Sequence, residues 1–204
     1  MPVTDDEIHD KYLERAIREI NALNHDVQDA RPDDASVAVV GSGHPQADVL
    51  LLKHHASREE VEEGVAFYGR SGAAVLKSFG RLGVDPMTVY GTLCDKWPSP
   101  GRPSDEPGLL PAAGARFLAE EIAIVQPRMI VVMGADALEV LNGLDVPMAE
   151  TLRDDPGAIQ RFTPACQALV TPAVDDALDE LGAKQAFWTA FRELGRWHDS
   201  LPPY

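Results

Sequence analysis

The sequence predicts an α/β fold: a three-layer α/β/α sandwich with a central four-stranded, mostly parallel sheet, plus an N-terminal helix. Two observations predict it. Four short apolar runs, Val49 to Leu52, Thr88 to Leu93, Met129 to Met133 and Ala168 to Val170, are separated by stretches of helical periodicity. Strand and helix in alternation are the mark of βαβ units. The runs are also continuously apolar rather than alternating, as expected of strands buried on both faces.

Taken in order, Thr4-Asp-Asp-Glu7 reads as a capping box, in which hydroxyl and carboxylate satisfy helix-start amides reciprocally. Ile8, Tyr12, Ala16, Ile20 and Leu23 then recur at helical spacing and predict a helix from about Asp5 to Asp26. Residues 1–35 are thus expected to form a helical extension packed on a domain spanning 36–204. Ser36 to Val40 reads as an edge strand and Gly41-Ser-Gly-His-Pro45 as a turn. That turn lacks the third glycine and the helix start of a dinucleotide fingerprint. Val49 to Leu52 opens into a polar loop, Lys53 to Ser57. Helices are expected over Gly72 to Leu82, Leu110 to Val125 and Gly134 to Leu141, on the spacing of Val75, Phe79, Leu118, Ile122, Leu138 and Leu141. Pro147 to Pro164 is irregular, with a turn at Asp154 to Gly157. A last helix is expected from Asp175 to Trp197, weakened at Gly182 by about 1 kcal/mol relative to Ala.

A chain of 204 residues suits one compact domain with a terminal extension. No run approaches the roughly 18 apolar residues of a membrane span, and the acidic N-terminus has no apolar signal segment, so a cytoplasmic location is expected. Two cysteines, Cys94 and Cys166, read as free thiols. The net charge of −15 argues against non-specific nucleic-acid binding. It is unevenly spread: residues 1–52 carry −7, residues 53–102 carry +1 and residues 103–204 carry −9. Any anion is best received by the middle segment.

Ligands of open parallel sheets collect at the carboxyl ends of the strands, which here are Lys53 to Ser57, Cys94 to Trp97, Gly134 and Thr171. If the first strand continues through His54 and His55, alternation sends their side chains to opposite faces. Their spacing to other donors matches no strong metal motif, and no metal is expected. Glu59 and its neighbours Glu60, Glu62 and Glu63 read either as a source of a general base or as a solvated helix turn. Phe67 and Tyr68 lie between glycines, where an aromatic ring either stacks on a planar ligand or joins the core. Asp95 to Gly108 is Pro-rich, carries Lys96, Trp97 and Arg102, and is long for a simple connection.

Gly64-Val-Ala-Phe67-Tyr-Gly69-Arg-Ser-Gly72 is the first of four pieces that, taken together in their order and spacing, resemble the uracil-DNA glycosylase superfamily, above all its family 4 branch, whose G-x-P-F-x-G-x-x-G segment it follows with Ala66 in place of Pro. Val89-Tyr90 followed by Trp97-Pro98 and Gly101-Arg102-Pro103, Pro127 to Ala137, and Thr171-Pro172-Ala173 fall where the family has its later strands and loops. The resemblance implies base flipping into a pocket, with Phe67 as the ring stacked on the base. It puts His54 where the family has a Glu, Thr92 where it has the base-reading Asn, and Thr171 where it has a His. The iron–sulfur cysteines of family 4 are absent, and no cofactor is expected. The candidate set is therefore His54, His55 and Glu59 for catalysis, Phe67, Thr92 and Thr171 for the base, and Lys53, Ser57 and Arg102 for DNA. The expected partner is DNA bearing a damaged base, uracil or a deaminated purine. The alternative is a catalytically inactive relative that binds a nucleotide, nucleic acid or protein.

Overall fold

In the computed structural model, residues 5–34, 36–98 and 112–202 are described. Arg102 and the Thr4 cap lie outside them. The sheet has six strands in the order β1-β3-β2-β4-β6-β5. Its core is the expected parallel set: β3 (Val89–Leu93), β2 (Val49–Lys53), β4 (Met129–Met133) and β6 (Gln167–Thr171). Short antiparallel strands close each edge: β1 (Ser42–Gly43) on β3 and β5 (Ile159–Arg161) on β6.

Both edge strands depart from expectation. Ser36 to Val40 is not a strand. Its amides serve loops instead: the Val39 N–H donates to the Lys96 carbonyl, and Val40 bridges Val65. The edge pairing falls two residues later, inside the expected turn, where Gly43 at φ 116° lies against the backbone of β3. On the other edge, the irregular stretch 147–164 contributes β5.

The helices are α1 (Asp5–Asp29), α2 (Arg58–Glu63), α3 (Gly69–Leu82), α4 (Ala112–Val125), α5 (Ala135–Gly143), α6 (Val174–Asp179) and α7 (Leu181–Asp199). The single C-terminal helix expected from Asp175 is broken at Glu180, whose backbone is extended (φ −115°, ψ 129°). The break moves Gly182 from mid-helix, where it is costly, to the first turn of α7.

Strand alternation splits the interior into two layers. Leu50, Leu52, Ile130 and Val132 pack on one face with Ile20 of α1, Leu118 of α4 and Leu138 of α5. Val49, Leu51, Met129 and Val131 pack on the other with Phe79 of α3, Val174 of α6 and Phe191 of α7. The expected three layers are present. The Trp97 indole N–H donates to the Val27 carbonyl at 2.8 Å and the ring meets Phe117 edge-on, tying α1 to α4. No helix among the described residues is long and apolar enough to cross a membrane.

The strand order positions the site. β2 lies between β3 and β4, and the helices that follow β2 and β4 cover opposite faces of the sheet. The carboxyl ends of β2 and β4 are therefore the topological switch point, where an open α/β sheet places its ligand crevice.

Candidate functional site

Lys53 is the last residue of β2, and only 2% of it is exposed. Its ammonium lies 2.7 Å from Glu60 Oε2 and 3.0 Å from Asp175 Oδ2, which α6 brings from the far end of the sequence. Glu60 is fully buried and holds the loops around it. Its Oε2 also accepts the Ser57 N–H at 2.6 Å, while Oε1 accepts the Phe67 N–H at 2.6 Å and the Ser71 hydroxyl at 3.4 Å. The Ser57 hydroxyl in turn accepts the Glu60 N–H, completing a capping box at the start of α2. One carboxylate thus joins a strand end, a helix start and the aromatic loop.

Phe67 is held in the left-handed region at φ 57°, unusual for a bulky residue. Two glycines make the room. A Cβ at Gly72 would collide with the Phe67 carbonyl oxygen, and one at Gly91 would lie 2.5 Å from Phe67 Cδ2. The ring is half-buried, with the Lys53 ammonium 5.7 Å from its centroid. This is a fixed aromatic platform with a positive charge over the ring.

β2 stops at Lys53, so His54 and His55 are not sent to opposite faces. Their rings meet edge-on at 4.0 Å, and their Nδ1 atoms are 3.1 Å apart. A bond between two Nδ1 atoms needs a proton on one and a bare lone pair on the other. His54 is buried and His55 half-buried. Burial, and secondly the neighbouring His55, holds the His54 imidazole below its ordinary value and favours its neutral form. His55 Nε2 lies 3.8 Å from Asp136 Oδ2 in the first turn of α5. The pair therefore reaches across the crevice from the end of β2 to the end of β4.

The remaining candidates fall elsewhere. Glu59 is exposed, and its carboxylate accepts the Arg70 N–H at 2.7 Å, capping the start of α3. Thr171 lies in the same sheet row as Lys53 and Met133, and its hydroxyl donates to the Pro172 carbonyl at 2.9 Å. Thr92 pairs in register with Leu52, so its side chain takes the sheet face opposite Lys53. There it donates to Glu121 Oε2 at 2.8 Å and accepts from the Lys96 ammonium at 2.6 Å. Lys96 is paired with Glu121, which also takes the Tyr90 hydroxyl at 2.9 Å. All four are buried, and burial beside that carboxylate pushes the Tyr90 phenol far up.

The uracil DNA glycosylase superfamily model matches residues 40–193. The chain belongs to that superfamily. The match covers every core strand, the crevice and both of its histidines. A Type-4 uracil-DNA glycosylase of Pyrobaculum aerophilum is 28% identical over 120 residues, a match covering 59% of this chain and 61% of that protein. The iron–sulfur cluster implied by resemblance to family 4 needs four thiolates. This superfamily member has two cysteines, both buried, so its donor set does not fit one. Burial drives the Cys94 thiol up and pushes Cys166 up to about 12, which leaves both protonated and poorly nucleophilic.

Asp136 and Asp175 were not singled out as site residues from the sequence, and Glu60 stood there only as one of four candidates for a general base. Glu60 carried a local signal, the Ser57-x-x-Glu60 capping box. Asp136 and Asp175 had none, since each reads as an ordinary acidic residue of a first helical turn.

Proposed function

We propose that this chain is a DNA glycosylase that hydrolyses the N-glycosidic bond of a deaminated base, uracil or a deaminated purine, flipped into the crevice between β2 and β4. Phe67 is the observation that carries this reading: a bulky residue held at φ 57° by a buried carboxylate, its ring half-open beside an ammonium. Such a platform suits stacking against an extruded base.

In this proposal His54, neutral and buried, presents an N–H donor to the negative charge that develops on the departing base. His55, donating its Nδ1–H to His54 Nδ1, takes a proton from the attacking water on Nε2, with Asp136 Oδ2 3.8 Å away to face the charge it gains. The water oxygen bonds to the sugar C1′, the C1′–N bond breaks with its electron pair leaving on the base, and the base anion takes a proton from solvent as His55 returns its own to solvent. Lys53 acts through Phe67 and Glu60 rather than by reaching a phosphate, because its ammonium is buried between two carboxylates. Ser57 and Glu59 hold helix starts, and Thr92 braces the sheet from behind.

A second reading, a binding module without catalysis, is favoured by the hydroxyls of Thr92 and Thr171. Both are committed to internal bonds where the family's polar residues would face the base. One assay decides between the two. Single- and double-stranded oligonucleotides containing uracil, hypoxanthine or xanthine are incubated with the protein and then treated with alkali. The glycosylase yields strand breaks at the lesion that are lost in His54→Ala and in Phe67→Ala. The binding module yields none with any lesion yet still retards DNA in a salt-sensitive manner. Neither breaks nor retardation would sink both nucleic-acid readings.

A further inference from the structure

On the outer face of α3, α6 and α7 runs a groove of about 510 Å³. Its floor is apolar: Val174, Ala177, Leu178 and Phe187, with Leu181 at the edge 73% exposed. Its polar rim is Lys77, Arg81 and Lys184, all exposed, and Arg81 lies over the Trp188 ring at 5.6 Å. None of the residues lining it is acidic, on a chain of net charge −15. Two acids of α6 are held elsewhere, Asp175 by Lys53 and Asp179 by Arg70 at 3.0 Å, while Glu180, next to Leu181 in the chain, is exposed.

We propose that this groove docks an acidic amphipathic helix from a partner protein. Apolar anchors spaced i, i+3/i+4 and i+7 would fill the floor, and carboxylates flanking them would meet Lys77, Arg81 and Lys184. Charge complementarity selects this occupant. A basic rim on an acidic molecule rejects basic segments and steers acidic ones to this spot. The apolar floor tells against a nucleic-acid strand, which would need a cationic track and open aromatic faces. The groove is separate from the crevice but adjoins it, since Val174 lines the groove and the next residue, Asp175, holds Lys53. A partner seated there would leave the crevice open to DNA.

The test is a selection of phage-displayed random peptides on the intact protein, followed by binding of the enriched peptides to the Lys77→Glu/Arg81→Glu/Lys184→Glu variant. Those positions are exposed, and the variant is compared only once its circular dichroism spectrum and melting temperature match the wild type. Expected is enrichment of net-acidic peptides with apolar residues at helical spacing, whose binding falls at least tenfold on the variant and on Leu181→Glu. Enriched peptides that are basic, lack the period or bind the variant equally would overturn the proposal. So would oligo(dT) competing for the groove, or concentration-dependent dimerisation of the wild type that Leu181→Glu abolishes.

Discussion

The ammonium of Lys53 and the carboxylate of Glu60 form a 2.7 Å ion pair that solvent does not reach, and that pair governs where the Phe67 ring stands. A buried pair is costly to break on one side, because the surviving charge is stranded.

Glu60→Ala should therefore lose about 3–5 kcal/mol of stability in urea denaturation. Lys53 would keep only Asp175, and the amides of Ser57 and Phe67 would lose their acceptor. A Lys53→Met/Glu60→Leu double variant should recover much of that stability while still releasing Phe67. A loss below about 1 kcal/mol for Glu60→Ala, in the range of an exposed pair, would show that Glu60 is not the anchor.

The two glycines against Phe67 should respond differently. At Gly72 a Cβ meets backbone, and Gly72→Ala should cost roughly 1–3 kcal/mol as an overpacking change. At Gly91 it meets the Cγ–Cδ2–Cε2 edge of the Phe67 ring rather than backbone, so Gly91→Ala should lose less melting temperature than Gly72→Ala and weaken lesion-oligonucleotide binding by displacing the ring. Binding by anisotropy beside thermal melting separates the two outcomes.

His54 makes stability depend on pH. Its folded value lies below the ordinary 6.5, so between the two values the unfolded chain binds more protons than the folded one. Stability is full above pH 6.5 and falls as the pH drops toward the folded value. Denaturation midpoints across that range should decline less steeply for His54→Gln than for the wild type. Equal slopes would remove His54 as the cause.

Behind the sheet, Glu121→Ala should destabilise by about 3–5 kcal/mol by stranding Lys96. Thr92→Val should cost about 1–3 kcal/mol for the unmet partners, with little change in single-turnover cleavage rate. A large rate loss at unchanged stability would instead put Thr92 in contact with the base.

Local sequence pattern determined a good deal here. Continuous apolar runs such as Val49 to Leu52 and Met129 to Met133 admit few environments other than a sheet buried on both faces, so the parallel core and flanking helices were legible. The Gly64 to Gly72 segment marked the aromatic loop and the superfamily. The edges were not legible. β1 and β5 are three residues or fewer, and a strand that short is made by its partner rather than by its own pattern.

The site divides in the same way. Phe67 and the histidines stood out by residue type and place. What each touches was decided by the tertiary structure alone, because the deciding partners are remote in sequence: Asp175 lies 122 residues from Lys53, and Glu121 lies 29 from Thr92. β2 ends at Lys53 rather than running on through His54 and His55, so the two histidines form a contacting pair and are not split between faces. Strand register sent Thr92 to the face away from Lys53. Residue type says what a side chain is able to do. Register, strand order and chain termination decide which groups meet, and those are properties of the packed sheet rather than of any one stretch of chain.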